Sequence, residues 1–227
     1  MTPQDFCRAM EESVGTAVSR ETLGRLERYA ALLAKWTRAI NLIGPATLPD
    51  LWRRHFLDSA QLLRYLPPTP EGRPRVIADL GSGAGFPGLV LAILGAGEIH
   101  LVESDRRKAQ FLREVSRETA AGARVHEGRI EELSPLCADC ITARALAPLD
   151  RLVDYALPHL APAGVLLFLK GAEAAAELTA ARARWSMPER RIAGGGLESE
   201  AWTSISDPRG QVLRLSRPAP GTPGRSG

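Results

Sequence analysis

The stretch from Val76 to Gly88, VIADLGSGAGFPG, constrains this chain more than any other part of it. A short apolar run ends in a carboxylate, Asp79, and glycines follow at positions 81, 83, 85 and 88. A strand, a glycine turn and a helix in that order place a ligand at the carboxyl end of a parallel strand. The pattern reads in two registers. Gly83, Gly85 and Gly88 spell GxGxxG, which suits a dinucleotide seated on a helix N-terminus. Asp79, Gly81, Gly83 and Gly85 spell DxGxGxG, which suits S-adenosylmethionine.

Asp79 is the residue that discriminates. A dinucleotide brings a pyrophosphate onto such a loop, and a carboxylate at the strand end would face like charge. S-adenosylmethionine carries no phosphate, and its ammonium and sulfonium groups favour a nearby acid. Glu103, about twenty residues on in "IHLVES", is placed to accept hydrogen bonds from a ribose diol under either reading. The balance therefore favours S-adenosylmethionine, with the dinucleotide as the open alternative. Pro87 suits the first turn of a helix, where its missing N–H costs nothing, and Phe86 is expected to lie against the nucleoside.

Around this loop the chain alternates. "RVIADL", "EIHLVES", "ARVHEG", "CITARAL" and "GVLLFLKG" are strand-like runs separated by helical segments, and "TSISD" with "GQVLRLSR" reads as a closing hairpin. Such alternation predicts a parallel sheet covered by helices. Ahead of it, Leu23, Leu26, Ala30, Leu33, Trp36, Ile40 and Ile43 recur at helical spacing, predicting a helix over 20–43. A second helix is expected from about Asp50 to Leu66, ended by "PPTPEGRP". The expected organisation is a helical extension at 1–66, a Pro-rich linker at 67–74, a Rossmann-like domain at 75–216 and a disordered tail at 217–227.

A chain of 227 residues is long enough to bury one sizeable core. Net charge is +3, and the lysines are Lys35, Lys108 and Lys170, so nearly all cationic side chains are arginines. That bias fits codon usage as well as a phosphate-rich partner. The N-terminal "MTPQDFCRAMEE" has early acids and no apolar run, and "GVLLFL" is far too short to span a bilayer. The expectation is a cytoplasmic protein with no membrane segment. Cys7, Cys137 and Cys140 are an odd set that argues against a disulfide scaffold. The CxxC of Cys137 and Cys140 has no second ligand pair, so no metal site is expected.

Taken together, "DLGSGAGFPG", "LVESDRRKAQFLREV", "GRIEEL", "ITARALA" and "LKG" resemble the bacterial small-subunit (16S) ribosomal RNA guanine-N7 methyltransferases, also called glucose-inhibited division protein B. "LLAKWTRAINLIG" and "RRHFLDS" resemble that family's helical leader. The resemblance covers about residues 20 to 215. It implies a seven-stranded class I methyltransferase fold, S-adenosyl-L-methionine as cofactor and ribosomal RNA, free or in a particle, as partner. It further implies that Gly81, Gly83 and Phe86 contact the cofactor and that Glu103 holds its ribose. Ile130 and Glu131 would flank the adenine, and Arg144 would sit at the methionine end or face the RNA. Glu103 and Ala143 stand where the family more often has aspartate and serine, and neither change removes a charge.

Guanine N7 carries a free in-plane lone pair, so its methylation requires no general base. No catalytic acid or base is therefore nominated, although Asp58 is placed to help electrostatically. "ARALAP" after the fourth strand lacks the Asn-Pro-Pro-Tyr of exocyclic-amine methyltransferases and the Pro-Cys of pyrimidine-carbon enzymes. His55, Asp58 and Ser59 lie on one helical face, read either as local packing or as a polar edge of the cleft. Arg53 and Arg54 read either as a solvated charge pair or, with Arg64 on the same helix, as phosphate contacts to RNA, and Arg106-Arg107-Lys108 as a solvated or RNA-facing turn. The segment "AGGGLESE" reads either as a flexible loop over the cleft or as a plain surface loop. A monomer is expected. A methyltransferase for a small molecule or a protein, and a non-catalytic nucleotide-binding regulator, are the competing functions.

Overall fold

A computed structural model of the protein describes residues 1–185 and 197–217. Two helices come first. In α1 (Pro3–Ala9) Thr2 and Asp5 cap each other, the Asp5 amide donating to the Thr2 hydroxyl at 3.1 Å and the Thr2 amide to the Asp5 carboxylate at 3.0 Å. The helix runs on through a wider turn, Met10–Val14. In α2 (Arg20–Thr37), capped by Ser19, Leu26, Tyr29 and Leu33 form the buried face.

The apolar spacing that predicts helix as far as Ile43 outlasts the helix itself. The chain turns after Thr37, with the Ala39 and Ile40 amides both donating to the Trp36 carbonyl, and Ile43 still reaches the core. The second predicted helix is an irregular run. It passes from a 3₁₀ segment, Pro45–Asp50, through a π-helical turn, Trp52–Leu57, and one α-turn, α3 (Asp58–Ala60), to a second 3₁₀ segment, Gln61–Tyr65. Pro49 lies inside the first of these, and its lack of an N–H prevents a regular helix there.

The remainder is one seven-stranded sheet. The strands are β1 (Val76–Leu80), β2 (Glu98–Glu103), β3 (Arg124–Glu127), β4 (Ala138–Arg144), β5 (Leu160–Lys170), β6 (Glu198–Thr203) and β7 (Gln211–Ser216), in the order β3-β2-β1-β4-β5-β7-β6. The first five are parallel and β7 runs antiparallel to both β5 and β6. The closing hairpin thus begins earlier than expected: Glu198, Ser199 and Glu200, read from sequence as loop, are the start of a strand. Gly194–Gly196 of that loop and the tail after residue 217 lie outside the described residues.

Between the strands run α4 (Gly88–Ile93), α5 (Arg106–Glu118), α6 (Leu149–Ala156) and α7 (Ala174–Trp185). Alternate residues of β1 feed opposite faces of the sheet, Ile77 one core and Ala78 and Leu80 the other. The first core also takes Phe6, Leu26, Tyr29 and Leu33 from the N-terminal helices, packed with Leu89 and Phe111. The second takes Leu149, Leu152 and Val153 of α6 with Phe168 of β5. Successive crossovers leave β1 in opposite directions, so the switch point lies between β1 and β4, where open α/β sheets bind ligands. Among the described residues no helix is long and apolar enough to cross a membrane.

Candidate active site

The glycine loop is built on Asp79. Its carboxylate is buried, with Oδ1 accepting from the Thr142 hydroxyl at 2.9 Å and Oδ2 from the Gly88 amide at 3.2 Å. Burial pushes the Asp79 carboxyl up to about 6, against the hydrogen bonds from Thr142, Ser82 and Gly88. Asp79 therefore ties β1 to β4 and to the start of α4, a more structural position than a ligand-facing acid. Gly88 is required for the same reason, since a Cβ there would lie 2.8 Å from the Asp79 Cβ.

Glu103, at the end of β2, closes the loop from the other side. Its Oε2 accepts from the Gly83 amide at 2.8 Å and its Oε1 from the Asp105 amide at 2.8 Å. Gly81 and Gly83 are left-handed, with φ of +64° and +55°. A Cβ on Gly83 would meet only the Gly81 carbonyl, at 3.7 Å, so the loop keeps an open side there. A Cβ on Gly81 would instead lie 2.5 Å from Leu146, which correlates this glycine with the packing of the β4 loop. Ile130 and Glu131 sit on a short turn, Ile130–Glu132, with Ile130 buried and Glu131 exposed. His159 holds that turn, its Nε2 standing 3.0 Å from the Ile130 carbonyl.

Phe86 does not present its ring as expected. The ring is buried, stacked on Tyr29 at 5.2 Å and edge-on to Phe56 at 5.5 Å, with the Arg144 guanidinium carbon 5.0 Å from its centre. Arg144 ends β4 and points into the same cluster, Nη2 lying 2.8 Å from His55 Nδ1 and Nη1 donating to the Arg54 carbonyl at 3.2 Å. Arginine has only donors, so His55 accepts at Nδ1 and its Nε2–H faces Thr47 Oγ1 at 3.0 Å. Burial, then Arg144 and Arg54, press the His55 pKa down to about 3, so the ring is neutral. Burial also lowers the Arg144 pKa, opposed chiefly by Asp58.

Asp58 joins this cluster to the closing hairpin. Its Oδ1 accepts from Gln61 Nε2 at 2.9 Å and from the hydroxyls of Ser206 at 2.6 Å and Ser204 at 3.2 Å, while Oδ2 faces Arg144 Nη1 at 3.6 Å. Thr47, His55, Asp58, Arg144, Lys170 and Arg209 line part of one cleft of about 520 Å³ over the carboxyl ends of β4 and β5. Lys170 is itself held, 2.6 Å from Glu177. The basic residues expected to act together are divided. Arg54 borders the cleft, Arg53 is paired with Asp50, and Arg64 lies beside the Tyr65 ring. Arg106, Arg107 and Lys108 form the first turn of α5, after the Asp105 cap. Cys140 is buried, with its thiol pKa raised by that burial, and Cys137 is exposed.

Residues 22–193 match the family described as GidB, rRNA small subunit methyltransferase G. The chain belongs to this family. It is 54% identical over 200 residues to the Ribosomal RNA small subunit methyltransferase G of Paramagnetospirillum magneticum, covering 88% of this chain and 91% of that one. The protein of the same description from Rhodospirillum centenum is 53% identical, covering 96% and 94%. In fold the chain is similar to an O-methyltransferase from Bacillus cereus solved in complex with SAH, with a TM-score of 0.55 at 11% identity, covering 95% of this chain and 100% of that one. This class I methyltransferase fold is what the family resemblance implies, and its parallel strands are what the alternation in the sequence predicts.

The residues at the end of β1 fit a nucleoside cofactor. The loop has backbone that a side chain at Gly83 would cover, an acid at the end of β2 and a buried apolar residue, Ile130, on the adjoining turn. Several supports of the site carry no local sequence signal. The Tyr29 hydroxyl donates to the Ala84 carbonyl in the loop, Thr142 anchors Asp79, and Ser204 and Ser206 anchor Asp58. Tyr29 reads from sequence only as one more core position of α2.

Proposed function

We propose that the chain transfers the methyl group of S-adenosyl-L-methionine to N7 of one guanine in small-subunit (16S) ribosomal RNA. The observation that carries this reading is an adjacency. The glycine loop at the end of β1 and the polar cleft at the ends of β4 and β5 meet across the switch point, in a chain of a ribosomal RNA methyltransferase family.

When bound, S-adenosyl-L-methionine supplies an electrophilic methyl group on a sulfonium. The backbone at Gly81 and Gly83 would lie against the nucleoside, and Glu103, which keeps lone pairs beyond its two amide contacts, would take the ribose hydroxyls. Ile130 and the Glu131 amide and carboxylate would flank the adenine. Phe86 would reach the cofactor by its backbone, its ring being committed to Tyr29 and Arg144. Arg144 would face the methionine end, the RNA or both. The N7 lone pair needs no deprotonation, so what these residues contribute is alignment, worth on the order of 7–11 kcal/mol in well-oriented reactions, together with the field of Asp58.

Residues 1–66 would serve as the helical extension, 67–74 as the linker and 75–216 as the methyltransferase unit, acting as a cytoplasmic monomer on RNA or on a ribosomal particle. The test supplies labelled cofactor with small ribosomal subunits, and with naked RNA, from a strain lacking this protein. Borohydride reduction and aniline cleavage should locate a single 7-methylguanine. Labelled RNA that resists aniline cleavage would place the methyl group elsewhere.

A further inference from the structure

The cleft holds an arginine whose direction is set by a neighbour rather than by itself. Arg144 has five N–H donors, and two are committed at hydrogen-bond distance, one to His55 Nδ1 and one to the Arg54 carbonyl. Its guanidinium carbon lies over the Phe86 ring, 5.0 Å from the ring centre, and the His55 ring also stands 5.0 Å from it. His55 is in turn fixed by Thr47, whose hydroxyl donates on to the Gly44 carbonyl at 2.8 Å. The result is a directed chain of hydrogen bonds, Arg144 to His55 to Thr47 to Gly44, crossing from β4 to the helical segment. The chain works in only one tautomer of His55.

We propose that His55 is a positioning residue for the target nucleotide: its neutral ring aims the Arg144 guanidinium into the cleft, on the RNA side rather than the cofactor side. This rests on the methyltransferase reading given above. Three observations favour the RNA side. Three partners of the guanidinium, Arg54, His55 and Asp58, line the cleft, while Gly83 and Glu103 are engaged with each other. Arg209 and Lys170 on the same cleft are paired with Asp207 and Glu177, whereas Arg54 is exposed at its border, where it can meet a phosphate. The remaining guanidinium donors suit oxygen acceptors of a nucleotide, to which arginine binds through paired N–H groups. An imidazolium at position 55 would offer Arg144 a second donor and break the chain, and the buried setting beside two arginines opposes that charge.

The experiment compares His55→Leu, His55→Asn and His55→Gln in the full-length protein. Asparagine can place its carbonyl oxygen near the position of Nδ1, glutamine reaches toward Nε2, and leucine only fills space. Relative to wild type, His55→Leu and His55→Gln should lose about a hundredfold in kcat/KM for RNA, a loss typical of a misplaced contact group, with calorimetric affinity for S-adenosyl-L-methionine within twofold. His55→Asn should recover most of the loss. Equal activity of the Leu and Asn variants at equal melting temperature would overturn the proposal, and so would a parallel loss of cofactor affinity. A second measurement does not depend on turnover. The ¹⁵N shifts of His55 should show the neutral ring protonated at Nε2 from pH 5 to pH 8, and an imidazolium or the Nδ1–H tautomer in that range would refute the chain of hydrogen bonds. Wild-type protein that methylates no RNA would count against the functional reading, whereas these shifts judge the relay by themselves.

Discussion

Gly83 and Glu103 are joined by a hydrogen bond of 2.8 Å, the loop amide donating to the carboxylate at the end of the neighbouring strand. The acid read from sequence as a ribose ligand is thus also the clasp of the glycine loop. Glu103→Ala would strand the Gly83 and Asp105 amides, at a cost of about 1–3 kcal/mol for each donor left unpaired. The variant should lose cofactor affinity and melt measurably lower, and calorimetry paired with a thermal scan reads both. Lost affinity at an unchanged melting temperature would mean that the carboxylate serves the ligand alone.

Asp79 gives the fold a pH dependence of unusual sign for a carboxylate. Its pKa is raised from 3.8 to about 6 in the folded protein by burial, so the folded state keeps a proton that the unfolded chain releases. Stability from this group is fully present below the unfolded value and is lost as pH rises through the folded one. A shift of that size is worth about 3 kcal/mol. Asp79→Asn keeps an acceptor for the Gly88 amide and a donor for the Thr142 hydroxyl without the titration. Denaturant unfolding of both proteins from pH 4 to pH 7 should show wild type losing stability relative to the variant as pH rises. Parallel curves would refute the assignment.

The parts of this molecule that show in the sequence are those built from neighbours along the chain. The strands declare themselves by β-rich runs, and the glycine loop by left-handed backbone that glycine adopts without strain at Gly81 and Gly83. α2 is visible by its spacing, but its end is not, because Ile43 reaches the same core through turns that apolar periodicity does not distinguish from helix. The site's supports were illegible for a different reason. Arg144 meets His55 and Asp58 meets Ser206 across 89 and 148 residues. Such pairs depend on how the helical segment and the closing hairpin dock on the sheet. Phe86 illustrates the same limit, since its place beside the glycines says nothing of which way the ring turns.

Gly81 tests whether the loop or its neighbour bears the cost of a side chain. With φ at +64°, any non-glycine residue meets left-handed strain of about 1–2 kcal/mol. The new Cβ would also press on Leu146. Gly81→Ala should therefore lower both stability and cofactor affinity. Adding Leu146→Ala removes the obstruction but not the strain, so the double variant should recover affinity in part relative to Gly81→Ala. No recovery at all, with the double variant still folded, would show that Leu146 yields freely and that the strain or the ligand accounts for the whole loss.

Arg53 and Arg54, adjacent in sequence, make an internal control for RNA binding. Arg53 is paired with Asp50 through its guanidinium, and in that arrangement its charge is already compensated. Arg54 is exposed and borders the cleft beside His55 and Asp58, and its carbonyl accepts from Arg144. Phosphate contacts of this kind position a nucleic acid without reading its sequence. Each one lost should reduce the slope of log affinity against log salt by about 0.7 on single-stranded RNA. Arg54→Ala is therefore expected to weaken RNA binding and flatten that slope by about this amount, with cofactor affinity retained. Arg53→Ala is expected to leave the slope where it was. Binding isotherms of the two variants across a salt series decide the matter. Equal slopes for Arg54→Ala and wild type would move the phosphate contact off this helical segment, and a drop for Arg53→Ala would show that RNA displaces Asp50 from its partner.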